Sequence, residues 1–223
     1  MKLASYKRQG GFTLVEIAIV LVIIGLLLGG VLKGTELIEN AKVRNAVGDI
    51  NGVSAAYNAY IDRFRTQPGD DGPLATLQAR GGNWTQVPEA GNGNGVVTSN
   101  RNNAFNGGNE HDIFWQHLRA AGFISGDVTA ADAAALPRNA FNGFIGVVSQ
   151  VTNANLTGLK VCLGAVPGKA ARALDTQLDD GDGATGSMRA TLGNANGQST
   201  NPGNVALAAP YTDDSFYTLC TRI

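Results

Sequence analysis

From Phe12 to Leu32 the chain runs for 21 residues with a single ionisable side chain, Glu16. As a helix rising ~1.5 Å per residue, that stretch reaches ~30 Å, the thickness of a bilayer's hydrocarbon core. A soluble helix carries a polar face, and here only Thr13 and Glu16, both near one end, interrupt the apolar surface. The stretch reads as a membrane helix. Before it lie Lys2, Lys7 and Arg8 with no acid, a bias that keeps this end in the cytoplasm and the remainder outside. A cleaved secretory signal begins the same way, but its apolar region is commonly ~7–15 residues and ends at a small-residue site. No A-x-A-like site follows here. A plain uncleaved signal anchor is the other ordinary reading.

Glu16 separates these readings. A carboxylate inside an apolar helix costs roughly 2.5–3.5 kcal/mol at mid-bilayer and less near an end, so it marks a functional position. A cut between Gly11 and Phe12 would create an amine four residues from Glu16, and the acid could pair with that amine or a neighbour's. Gly11-Phe12-Thr13-Leu14-Val15-Glu16 followed by an apolar helix resembles the N-terminus of type IV prepilins and of type II secretion pseudopilins. The resemblance implies that a membrane-embedded prepilin peptidase cuts after Gly11 and that Phe12 becomes the N-methylated N-terminus. It also implies that Glu16 neutralises the amine of an adjacent subunit during filament assembly. One departure is the lack of a proline some twenty residues into the mature chain, where Gly29, Gly30 and Gly34 weaken the helix instead.

Beyond Lys33 the helical pattern continues. Val43, Val47, Ile50, Val53, Tyr57, Ile61 and Phe64 recur every three or four residues among polar neighbours, an amphipathic helix running to about Thr66 and ended by Pro68-Gly69-Asp70. The Gly- and Asn-rich stretch from Gly69 to Gly108 reads as surface loop that buries little, with Trp84 and Phe105 as anchors. A short helix is expected at Glu110 to Ala121, with Asn109 as N-cap, Gly122 as C-cap and Trp115 near its edge. Another is expected at Pro167 to Leu178. Phe144 to Val151, Leu159 to Leu163 and Phe216 to Thr221 read as strands. The fold class is therefore α+β: a pilin-like long N-terminal helix on a small antiparallel sheet with long Gly/Asn-rich loops. The organisation expected is a leader over 1–11, a transmembrane or filament-core helix over 12–33, its amphipathic continuation over 34–66, and a globular domain over 67–223.

Two cysteines, Cys162 and Cys220, are an even count in a chain whose bulk faces an oxidising compartment. Their pairing resembles the C-terminal disulfide region of type IV pilins and would stabilise by ~4 kcal/mol on the loop-entropy model; two free buried thiols are the alternative. Asp175, Asp179, Asp180 and Asp182 cluster in a glycine-containing loop, where oxygen ligands suit Ca²⁺, as in the C-terminal loop of major pseudopilins. The EF-hand spacing fails, since Ala184 and Thr191 stand where ligands belong, and Asp-Gly pairs also make plain solvated turns. His111 and His117 lie on different faces of a helix and read as local hydrogen bonders or solvent-facing groups. Gly164 to Ala170 is too short for a phosphate-binding loop and lacks its Ser or Thr. Asn83-Trp84-Thr85 and Asn155-Leu156-Thr157 are formal glycosylation sequons that carry little weight in a chain that resembles bacterial prepilins.

No nucleophile elbow and no coherent Ser/His/Asp set appears, and a net charge of −1 gives no basic surface for nucleic acid. The reading is a structural subunit of a type IV pilus-like filament, not an enzyme, with no required cofactor beyond the candidate Ca²⁺. Its partners are other pilin-like subunits in a homo- or hetero-polymer, the prepilin peptidase, an inner-membrane assembly platform, and membrane lipid before assembly. It sits in the bacterial inner membrane with its domain in the periplasm, or at the cell surface once assembled. A pseudopilin of a type II secretion system is one alternative. A membrane-tethered periplasmic binding module is another, from a different class.

Overall fold

A computed structural model describes residues 11–150, 156–203 and 210–223. Leader residues 1–10, Val151 at the end of one expected strand, and Asn155 of the second sequon lie outside the described residues. The chain forms two compact units, Met1–Ala41 and Lys42–Ile223. Helix α1 spans Leu14–Phe64. It stops two residues short of the expected end at Thr66 because Arg65 turns to a left-handed φ of 59°, its N–H still bonded to the Ile61 carbonyl at 2.8 Å.

In the first unit α1 is exposed almost throughout, Leu14 at 91% and Leu26 at 73%, and by length and composition it is apolar enough to cross a membrane. In the second unit α1 buries Val43, Ala46, Ile50, Val53, Ala56 and Tyr60. That stripe runs through two alanines, which permit close approach, and leaves Val47, Tyr57 and Phe64 half-buried at its margin.

Among the described residues the sheet has four antiparallel strands in the order β1-β2-β4-β3: β1 Ile145–Val148, β2 Lys160–Pro167, β3 Met188–Leu192 and β4 Phe216–Arg222. The sequence reading missed β3. Met-Arg-Ala-Thr-Leu holds one β-branched residue, and its pairing with β4 across the chain makes it a strand. Alternation along the strands divides two clusters. Ile145, Val147, Val161, Leu163, Met188, Ala190 and Leu219 join the main core with the α1 stripe. Val148, Cys162 and Cys220 join a smaller one with Ala104, Phe105 and Leu156. Gly146 belongs to this arrangement: a Cβ there would lie 2.2 Å from the Ala104 carbonyl oxygen, so only glycine lets the Phe105 segment close on the strand.

Helix α2 is Leu74–Gln78, and α3, Glu110–Ala120, is buried along its whole length. Trp115 is therefore fully buried rather than near an edge, because α3 contacts β1 as well as the 3-10 turn at Gly82–Gln86. Asn109 has a φ of 55° and makes no side-chain cap. Ala121 ends the helix, and Gly122, one residue on, takes a φ of 79° as Phe123 N–H reaches the Leu118 carbonyl. Helix α4, Gly168–Leu178, follows Pro167 at its N-cap.

The 69–108 stretch corrects the sequence reading most. It buries Leu77, Trp84, Val87, Val97 and Phe105. Its glycines and asparagines are tied down by carboxylates: Asp70 accepts from Asn94 N–H at 2.9 Å and Gly95 N–H at 2.7 Å, and Glu110 accepts from Asn92 Nδ2 at 2.7 Å and from the Thr98 N–H. Gly91 fits because a Cβ there would meet Asp70 Cα at 2.3 Å. Composition suggested exposure, but buried acids supply the partners that loop amides need.

Candidate functional site

The first unit carries the N-terminal segment. Gly11, Phe12 and Thr13 precede the helix and are exposed, Phe12 at 84%. Thr13 is the N-cap: its carbonyl accepts the first helical bond from Ile17 N–H at 3.4 Å. Its hydroxyl accepts from Glu16 N–H at 3.3 Å, and Glu16 Oε2 accepts from Thr13 N–H at 2.8 Å and from the Thr13 hydroxyl at 2.7 Å. This is a reciprocal capping box, in which the third helical residue satisfies the cap residue's own amide. The sequence reading gave Glu16 an amine as partner, its own chain's or a neighbour's, and missed the box, although Thr13-x-x-Glu16 is its signal. Farther along, Lys33 and Glu36 pair at 2.8 Å on the surface, an exposed contact worth little.

In the second unit, Asp175, Asp179 and Asp180 bring one carboxylate oxygen each to within 4.8 Å of one another; Asp182 is not part of this group. Asp175 closes the last turn of α4 and is fully buried. Its Oδ2 accepts from the Tyr211 hydroxyl at 2.6 Å. Its Oδ1 is buried with no partner at hydrogen-bond geometry, while the Gly181 N–H lowers the carboxyl's pKa. Burial raises the Asp175 pKa, and the Asp180 and Asp179 charges add to the rise. Asp179 Oδ2 accepts from Met188 N–H at 2.7 Å. Asp180 accepts from the Thr185 hydroxyl at 2.5 Å and from Asp182 N–H at 2.9 Å, which lowers its pKa. Asp182 turns away to accept from Ala184 N–H at 3.0 Å. The segment is a hydrogen-bonded turn whose three hard oxygen ligands would suit a calcium-like cation.

Cys162 and Cys220 are direct register partners on β2 and β4 and form a disulfide, with a sequence separation of 58. Both histidines are buried and bind backbone rather than solvent, through long-range partners. His117 Nδ1 accepts from Gly69 N–H at 3.1 Å; His111 Nε2 accepts from Asn100 N–H at 2.9 Å while its Nδ1 faces the Val147 carbonyl. Burial lowers both pKa values, that of His117 to about 4.

The model of the prokaryotic N-terminal methylation motif matches residues 6–32. No curated protein and no solved structure matches the chain. The match covers the capped helix start and the apolar helix and leaves the folded second unit outside it. The chain thus carries a prepilin-type N-terminal methylation motif on an α+β fold with a long apolar helix and a disulfide, which supports a protein of the type IV pilin or pseudopilin class.

Proposed function

We propose that this chain is a structural subunit of a type IV pilus-like filament. The observation that carries the reading is an apolar, solvent-exposed helical segment that begins one residue after a capped Thr13 and lies within the methylation motif. Such a surface needs lipid or other copies to cover it. In this reading residues 1–11 are removed between Gly11 and Phe12, and Phe12 is N-methylated. The helix over 12–33 first holds the subunit in the inner membrane and then packs with others in a filament core. Residues 34–66 continue it, and 67–223 form the domain carried outward. Glu16 sets register, because displaced neighbours would leave a buried carboxylate without its cation.

Two measurements test this together. Intact mass of the cellular protein is expected to show a chain starting at Phe12 and carrying one methyl group. The amount in mechanically sheared surface material, compared with washed membranes, is expected to be high for a pilus subunit. Protein confined to membranes favours the pseudopilin reading, and an unprocessed N-terminus overturns both.

A second proposal concerns Asp175, Asp179 and Asp180 as a site for Ca²⁺. It is favoured by the buried Asp175 Oδ1, which has no well-formed hydrogen bond.

A further inference from the structure

Residues Phe12 to Ile17 combine two helix-start devices. Thr13 and Glu16 form the capping box, with bonds of 2.7, 2.8 and 3.3 Å, while Phe12 and Ile17 occupy the N′ and N4 positions that a hydrophobic staple uses. The Gly11–Phe12 peptide bond lies immediately outside this boundary, in non-helical backbone. Winding α1 back across it would commit the Gly11 carbonyl to the Val15 N–H, move Thr13 out of the non-helical cap conformation, and forfeit its bonds with Glu16.

We infer that Thr13 is the positioning residue for leader removal. Its cap ends the helix just after Gly11–Phe12 and so keeps that bond in backbone a peptidase can take up. An amide inside a helix has its N–H and carbonyl committed to the ladder and is shielded by side chains, so a peptidase would first have to unwind it. The reaction is hydrolysis: one water is consumed, the amide bond breaks, and the Gly11 carboxylate and Phe12 amine are released. Thr13 touches neither new terminus in this role and acts through the helix boundary. The same device selects the bond. Gly10–Gly11 also follows a glycine; it precedes Gly11 rather than Phe12 and lies one residue farther from the cap.

This inference rests on the proposed processing at Gly11–Phe12. The test uses the full chain in detergent with a prepilin peptidase, following the intact masses of the products over time. Thr13→Val keeps the β-branched shape and removes the hydroxyl; Thr13→Ser restores it. Thr13→Val is expected to be cut about fivefold more slowly, the scale of a lost N-cap, with a second product cut at Gly10–Gly11. Thr13→Ser is expected to keep the wild-type rate and single product, and equal helical circular dichroism among the three shows that α1 itself persists. Wild-type rate and a single cut in Thr13→Val overturn the inference, as does Thr13→Ser behaving like Thr13→Val. Failure of the wild-type chain to be cut at Gly11–Phe12 overturns the processing reading instead.

Discussion

The Tyr60 hydroxyl donates to Asp71 Oδ2 at 2.6 Å, and the Arg80 guanidinium bonds the same oxygen at 2.7 Å. Arg80 also lies over the Phe64 and Trp84 rings, 4.4 and 4.6 Å from their centroids. One carboxylate thus joins the end of α1 to the segment after it. Tyr60→Phe is expected to cost about 1–2 kcal/mol, since Asp71 keeps its cation. Arg80→Ala is expected to cost more, because it leaves a buried carboxylate without that cation and removes the ring contacts. Chemical unfolding of the full chain in detergent measures both; the reverse order would show that the ring contacts and ion pair contribute little.

Reducing the disulfide, or replacing Cys162 and Cys220 with Ser, is expected to lower stability by ~4 kcal/mol, as the loop closed between residues 58 apart implies. The loss comes mainly from the greater freedom of the unfolded chain, so the β2–β4 pairing is expected to survive in the reduced native state. Hydrogen exchange on β2 and β4 in the two redox states checks this.

Stability is expected to fall as pH drops from about 6.5 to about 4. His117 has its pKa lowered to about 4 by burial, with Asp71 pulling it up and Arg80 adding to the fall. Between those limits the unfolded chain binds a proton that the folded one refuses. The loss amounts to up to roughly 3 kcal/mol, and His111, also lowered by burial, adds to it. On the alkaline side Lys160, buried and donating to the Gly158 carbonyl at 2.6 Å, has its pKa pulled down to about 8 by burial and by Arg222. The same linkage makes stability rise from about pH 8 toward 10.5. His117→Gln and Lys160→Met are each expected to flatten their own limb in pH-dependent unfolding curves.

Glu16→Ala is expected to leave leader removal within about twofold of wild type, because the Thr13 hydroxyl caps the backbone N–H of residue 16 whatever side chain stands there. Filament yield is expected to fall at least about tenfold, reflecting a lost charge pairing between subunits. Sheared yield and intact mass from the same cells separate the two steps. Normal yield would remove Glu16 from the register.

Added CaCl₂ is expected to raise the unfolding midpoint saturably, with MgCl₂ doing less because Mg²⁺ demands tighter octahedral geometry. Asp175→Asn is expected to abolish the effect, whereas Asp182→Asn, outside the group, keeps it. An unchanged midpoint would leave the three acids as a hydrogen-bonded turn alone.

The apolar character of residues 12–32 was legible without tertiary information, because apolar length and a single acid are read from neighbours; the Thr13-x-x-Glu16 cap is equally local, but the sequence reading passed over it. The α1 stripe was legible for the same reason, through a 3.6-residue period. Three of the four strands showed in their β-branched and aromatic content, but β3 did not, since Met188–Leu192 becomes a strand by pairing with residues far along the chain. Tertiary structure alone decided that Asp70 and Glu110 order the glycine-rich stretch, that Trp115 and both histidines are interior, and that Asp182 stands apart from the other three acids. Burial and hydrogen-bond partners at those positions come from segments distant in sequence, and residue type at one position carries no record of which distant group will meet it.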